Sequence, residues 1–239
     1  MTDFVFLVSY PRSGNTWFRL LIANIQHPEE LRTYHFIDRD KMVPDIHQHY
    51  TWEEMEKKEF DWSPIFVKSH FCFHPAYMMF PIIYIYRDVR DVAISYFHFH
   101  YRENAGLSFE EYLEKKFIPG KEPFGGWKEH INYWLIKENS LMFYPVKYED
   151  FLINTKECLM EVFEFLNLHY EEKVIEEAIE RTRFDRLKSI AEKDGVHRKI
   201  LGLRGKSGGW KEVFSEKMLG KIWDYAGEEM EKLGYHQEG

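Results

Sequence analysis

Near its start the chain carries five consecutive apolar residues, Phe4 to Val8, which break at Tyr10-Pro11 into a short polar turn. An unbroken run of this length is far too short to span a membrane and suits a strand buried on both faces. The turn, Arg12-Ser13-Gly14-Asn15, leads into Thr16 to Ile25, where Trp17, Leu20, Leu21 and Ile25 share one side of a helix. Strand, tight polar loop and helix in this order bring several backbone N–H groups and the positive end of a helix dipole into one small concavity. That concavity suits a phosphate or a sulfate. Ser13 and Thr16 add hydroxyl donors, and Arg12 adds a fixed positive charge.

The same unit recurs. Ile65-Phe66-Val67 reads as a strand ending in Lys68-Ser69-His70. Pro81 precedes Ile82 to Tyr86, a β-branched and aromatic run that ends in Arg87-Asp88-Val89-Arg90-Asp91 and passes into a helix through Phe97. Leu141 to Val146 is a fourth strand candidate, interrupted by Pro145 and followed by Tyr148-Glu149-Asp150. Capping boxes at Thr51 with Glu54 and at Ser108 with Glu111 open helices through Lys58 and Phe117. Further helices are expected over 127–137, 154–167, 171–182 and 215–233. Pro28 ends the first helix. Residues 28–50, with His35, His47 and His49, lack a period and read as a solvated loop with no metal-ligand spacing. Residues 119–126 read as a loop. Arg183 to Gly209 reads as mostly irregular, with a basic, glycine-rich end. Strands alternating with helices predict an α/β fold in a single domain, residues 1–239, with a central parallel sheet covered by helices on both faces. Ligands in such sheets lie beyond the carboxyl ends of the strands, where these polar clusters fall.

Composition narrows the partners. A net charge of −8 argues against a nucleic-acid binder, so any polyanion must meet a local basic pocket in an acidic protein. Two cysteines, Cys72 and Cys158, without CxxC spacing indicate reduced thiols and neither a disulfide framework nor a zinc site. No apolar run reaches membrane-spanning length and the first residues lack a signal-peptide pattern, so no membrane insertion and a cytoplasmic location are expected. Aromatics make up 18% of the chain. Core filling accounts for most of them; Phe71, Phe73, Tyr77 and Tyr96 fit either the core or an apolar acceptor pocket.

Tyr10 to Trp17 resembles the 5′-phosphosulfate loop of the sulfotransferases that use 3′-phosphoadenosine 5′-phosphosulfate (PAPS). Arg87 to Tyr96, with Arg87 and Ser95 eight residues apart, resembles their 3′-phosphate motif. Val67-Lys68-Ser69-His70 resembles the segment carrying their catalytic lysine and histidine. Tyr148 to Asp150, Thr182 to Phe184, and Arg204-Gly205 through Trp210-Lys211 follow weaker family elements in the same order, so the resemblance covers nearly the whole chain. It implies a P-loop-like, nucleotide-binding three-layer sandwich and transfer of a sulfuryl group to a hydroxyl or amine of a small-molecule acceptor, with no metal.

By the same resemblance His70 is the general base, and Lys68 and Arg12 stabilise the transferring group. Arg12, Ser13, Gly14, Asn15 and Thr16 hold the 5′-phosphate. Arg87 and Ser95, helped by Arg204 and Gly205, grip the 3′-phosphate, and Trp17, Tyr148 and Phe184 contact the adenine. The alternative is a P-loop kinase using ATP on a small molecule, although Gly14-Asn15-Thr16 lacks the lysine that such loops carry. Three departures from the family pattern stand out. Arg12 occupies the usual lysine position. Leu203-Arg204-Gly205 replaces an Arg-Lys-Gly, leaving Arg198, Lys199 or Lys206 to supply the missing charge. The C-terminal dimerisation motif is not found after Lys211, so the oligomeric state stays open.

Overall fold

A computed structural model describes residues 4–28, 42–47, 51–101, 106–137, 142–193 and 206–238. Four parallel strands form one sheet: β1 (Phe4–Ser9), β2 (Ile65–Ser69), β3 (Ile82–Tyr86) and β4 (Phe143–Lys147), in the order β2-β1-β3-β4. β1 is a central strand, and its continuous apolar run has a physical cause. Phe4, Phe6 and Val8 enter one hydrophobic core, whereas Val5 and Leu7 enter a second core on the opposite face. A strand buried on both sides has no solvent face to alternate with.

Helices cover each face. Helix α1 (Asn15–Gln26) places Phe18, Leu21, Ile22 and Ile25 in the same core as Val5 and Leu7, joined by side chains of the later helices Thr155–Phe165 and Glu172–Arg181. On the other face Val92 and Ala93 of α2 (Val89–His100), Trp127, Ile131 and Trp134 of the helix Trp127–Lys137, and Ile222 and Ala226 of the last helix, Glu216–Lys232, pack around Phe6. Both capping boxes form as the sequence predicts, with the Thr51 and Ser108 side chains accepting from the N–H groups of Glu54 and Glu111. The sheet with helices on both faces is the expected α/β architecture. No helix among the described residues is long and apolar enough to cross a membrane.

Three local expectations are corrected. Pro145 does not interrupt the fourth strand, because β4 is an edge strand paired only with β3. Pro145 sits opposite Tyr84, and its missing N–H costs the sheet nothing on the open side. Phe184–Lys193 is a helix, not irregular chain; its Leu187 is buried and its Phe184 packs, partly buried, against the same core. The described part of the 28–50 segment is not solvated. Met42, Val43 and Asp45 are buried, and Asp45 forms a parallel bridge with Lys68 on the open edge of β2.

Candidate active site

The carboxyl ends of β1, β2 and β3 open on a cleft of roughly 250 Å³ walled by the loop before α1, the end of β2, Arg87, the C-terminal half of the helix Val89–His100 and Phe124. The loop is shaped by two backbone positions. Arg12 has φ 73°, a left-handed conformation that costs a non-glycine residue about 1–2 kcal/mol. Gly14 has φ 106° and forms the N-cap of α1 with no side-chain cap. The amides of Gly14, Asn15 and Thr16 have no protein acceptor among the described residues, so the first turn of α1 presents donors to the cleft. Ser13 Oγ is also buried without a partner. An anion at this helix start fits those donors.

The side chains above the loop form a connected cationic group. Arg12 Nε donates to Ser95 Oγ at 3.1 Å, and its guanidinium lies 4.4 Å above the ring of Phe99. Burial, and then the neighbouring Arg87 charge, bring the Arg12 pKa down to about 10. Arg87 donates to the carbonyls of Arg12 (3.3 Å) and Lys206 (2.9 Å), lies 4.4 Å above the ring of Tyr148 and faces Asp91 at 3.7 Å. Its Nε is buried with no partner. Asp91 accepts from the N–H groups of Gly208 (2.7 Å) and Trp210 (3.1 Å), which ties the C-terminal segment to the start of α2.

At the end of β2 the His70 imidazole is seated in the cleft wall. Its Nδ1 lies 2.7 Å from the carbonyl oxygen of Ser9, an acceptor only, so Nδ1 carries the proton and Nε2 is left as a base. Burial, followed by the charge of Lys68, holds this imidazole well below the usual histidine range, so it is neutral at physiological pH. The Lys68 ammonium is 2.5 Å from Asp45 Oδ2. Burial would raise Asp45, but the charge and hydrogen bond of Lys68 outweigh it and keep the carboxyl below its ordinary value.

Most of the residues expected from sequence converge here: Arg12, Gly14, Asn15, Thr16, Trp17, Lys68, His70, Arg87 and Tyr148 all line the cleft. Ser95 reaches it through Arg12. Trp17 also packs against Phe151 and donates from Nε1 to the carbonyl of Thr182, and Phe184 packs on the ring of Trp17 (5.1 Å between centroids), outside the cleft wall. Arg198, Lys199, Arg204 and Gly205 lie outside the described residues. Seven wall residues were not anticipated: Arg19, Asp45, His47, Phe99, His100, Pro123 and Phe124. Arg19 lies on the predicted helix one turn beyond the loop, a position that spacing could have found. Asp45 and His47 follow Pro44 in aperiodic sequence, and only the tertiary pairing with β2 brings them in. Among the described residues, no group of three or more His, Cys, Asp or Glu side chains has metal-site geometry.

A parallel α/β sheet with an uncapped helix start, two arginines and a lysine–histidine pair at its strand ends defines an enzyme that handles an anionic group. The model of the sulfotransferase domain matches residues 2–234, and the chain belongs to that family. It is an enzyme of sulfuryl transfer, which sets aside the kinase alternative. The chain is 30% identical to the flavonol 3-sulfotransferase of Flaveria bidentis over 91% of its length and 78% of the relative. It is 25% identical to sulfotransferase 1C2 of Oryctolagus cuniculus, covering 89% of this chain and 78% of that one. Among solved structures it resembles mouse sulfotransferase SULT7A1 complexed with PAP (TM-score 0.73, 24% identity, 95% of this chain and 84% of that one). It also resembles retinol dehydratase in complex with androsterone and PAP (TM-score 0.71, 21% identity, 95% and 80%).

Proposed function

We propose that this enzyme transfers a sulfuryl group from PAPS to a hydroxyl or amine of a small-molecule acceptor, with His70 as general base. The observation that carries the reading is the tautomer of His70. Nδ1–H is committed to the Ser9 carbonyl, so a neutral Nε2 is available in a cleft that also holds Lys68 and the open start of α1. Nε2 takes the acceptor's proton as its oxygen or nitrogen forms a bond to sulfur. The bond between sulfur and the bridging oxygen of the 5′-phosphate breaks, and the electron pair leaves on that oxygen. Lys68, Arg12 and the amides of Gly14 to Thr16 stabilise the charge that accumulates there.

The unpartnered Ser13 Oγ and Arg87 Nε suit a donor with two separate anionic ends, one at the loop and one between α2 and the segment at Lys206. PAP occupies the solved relatives named above, which supports the same nucleotide here. Androsterone and retinol in solved relatives, and the flavonol of a curated one, support a small organic acceptor without selecting one. The two free cysteines, Cys72 and Cys158, suit a reducing, cytoplasmic setting.

The test is His70→Ala. Turnover of PAPS in the presence of a mixture of a flavonol, androsterone and retinol is expected to fall by about 10²–10⁴-fold. Thermal stabilisation by 3′,5′-ADP is expected to persist and to exceed that by ATP or 5′-AMP. Undiminished turnover in the variant removes the histidine from the mechanism, and a preference for ATP contradicts the assigned donor.

A further inference from the structure

Along residues 42–47 the chain lies on the open edge of β2, and both main-chain bonds go to one residue. The Lys68 N–H donates to Pro44 O at 2.8 Å, and the Ile46 N–H donates to Lys68 O at 3.3 Å. That pairing fixes where the next side chains point. Asp45 Oδ2 meets Lys68 Nζ at 2.5 Å, with side-chain exposures of 2% and 11%. His47 Nε2 accepts the backbone N–H of His70 at 2.6 Å, and the two imidazoles stack with centroids 5.6 Å apart and planes 10° apart. The ring of His47 is itself seated edge-on against Phe71 and Phe124.

We infer that Asp45 and His47 are positioning residues of the transfer reaction: Asp45 fixes the Lys68 ammonium, and His47 fixes the main chain that carries His70. The inference rests on the roles of Lys68 and His70 proposed above. Packing alone would not require either side chain. An apolar ring would fill the space between Phe71 and Phe124 as well as an imidazole, but it would leave the His70 N–H, just past the end of β2, without an acceptor. Likewise, an apolar pair in place of Asp45 and Lys68 is often no less stable than a buried ion pair, whereas only the charged pair holds an ammonium in the cleft wall. The rest of His70 is already held. Its carbonyl faces His130 Nε2 at 3.3 Å and its Nδ1 is bound to Ser9, so loss of the His47 contact frees one end of a peptide whose other contacts remain.

Two substitutions separate the hydrogen bond from the packing. His47→Phe keeps a ring and removes the acceptor, while His47→Gln removes the ring and places Oε1 near the former Nε2. The readout is turnover of PAPS to 3′,5′-ADP with the acceptor mixture, or with water as acceptor where no organic one is used, alongside 3′,5′-ADP affinity. His47→Phe is expected to lower kcat about 10–100-fold, the cost of a misplaced base, with 3′,5′-ADP affinity within about threefold. His47→Gln should recover most of the loss. Asp45→Asn should lower kcat by a similar factor with the same unchanged nucleotide affinity. Full activity in His47→Phe, equal loss in both His47 variants, or unchanged kcat in Asp45→Asn overturns the inference. If these variants are fully active while His70→Ala is inactive, the base assignment stands and this inference alone falls. Turnover in His70→Ala removes both.

Discussion

A methyl group at position 14 would lie 2.3 Å from Cδ2 of Tyr148, and the backbone there has φ +106°. Two independent constraints, the close approach of a ring and a left-handed conformation, therefore demand glycine. Gly14→Ala is expected to cost about 1–3 kcal/mol and to displace Tyr148 from Arg87, weakening nucleotide binding. A denaturant titration and a 3′,5′-ADP titration measure the two effects separately. Arg87 is tied to the carbonyls of Arg12 and Lys206, to Tyr148 and to Asp91, so it links the anion loop with the C-terminal segment. Arg87→Ala is expected to weaken 3′,5′-ADP by about tenfold or more, the scale of a lost charge-assisted contact, and to affect 5′-AMP far less. Equal weakening of both nucleotides in a calorimetric titration would remove the 3′-phosphate from this residue's role.

Elements were legible in proportion to how local their causes are. β1 announces itself because both of its faces are buried, and Phe6 at its middle is fully enclosed by Trp52, Tyr77 and Phe80. Phe6→Ala is expected to cost about 3–5 kcal/mol, seen as a lowered melting temperature. The same variant should retain nucleotide affinity where it remains folded, since Phe6 lies in the core and does not line the cleft. The caps at Thr51 and Ser108 were equally legible, because a capping box needs only four consecutive residues. The site's loop, its lysine and histidine, and its arginines could be read for a similar reason, each ending a strand whose run is visible. Asp45 and His47 could not. They owe their place to edge pairing with Lys68 across more than twenty intervening residues, and no period marks such a segment. The helix Phe184–Lys193 was within reach of the sequence, since Phe184, Leu187, Ile190 and Ala191 recur at helical spacing between polar and charged residues.

At the scale of the molecule, an acidic chain with net charge −8 gathers Arg12, Arg19, Lys68 and Arg87 around one cleft. His70 in the cleft wall and His130 buried behind it are neutral, which makes the whole fold sensitive to acid. Burial lowers His130 to about 4, and burial with Lys68 takes His70 well below the ordinary range. In the unfolded chain each titrates near 6.5, so as pH falls below that value the unfolded state binds protons that the native state does not. Stability from these groups is therefore complete above about pH 6.5 and is lost progressively as the pH drops toward their folded values. At pH 5 His130 alone accounts for a loss of about 2 kcal/mol, and His70 adds to it in the same direction. Urea unfolding at pH 7.5, 6.0 and 5.0 should show this decline. His130 accepts from the Tyr84 hydroxyl through Nδ1 and faces the His70 carbonyl through Nε2, a neutral pattern that a protonated ring cannot keep. His130→Gln should therefore be less stable at pH 7.5 yet lose less on acidification, and an undiminished acid slope in that variant would place the proton uptake elsewhere.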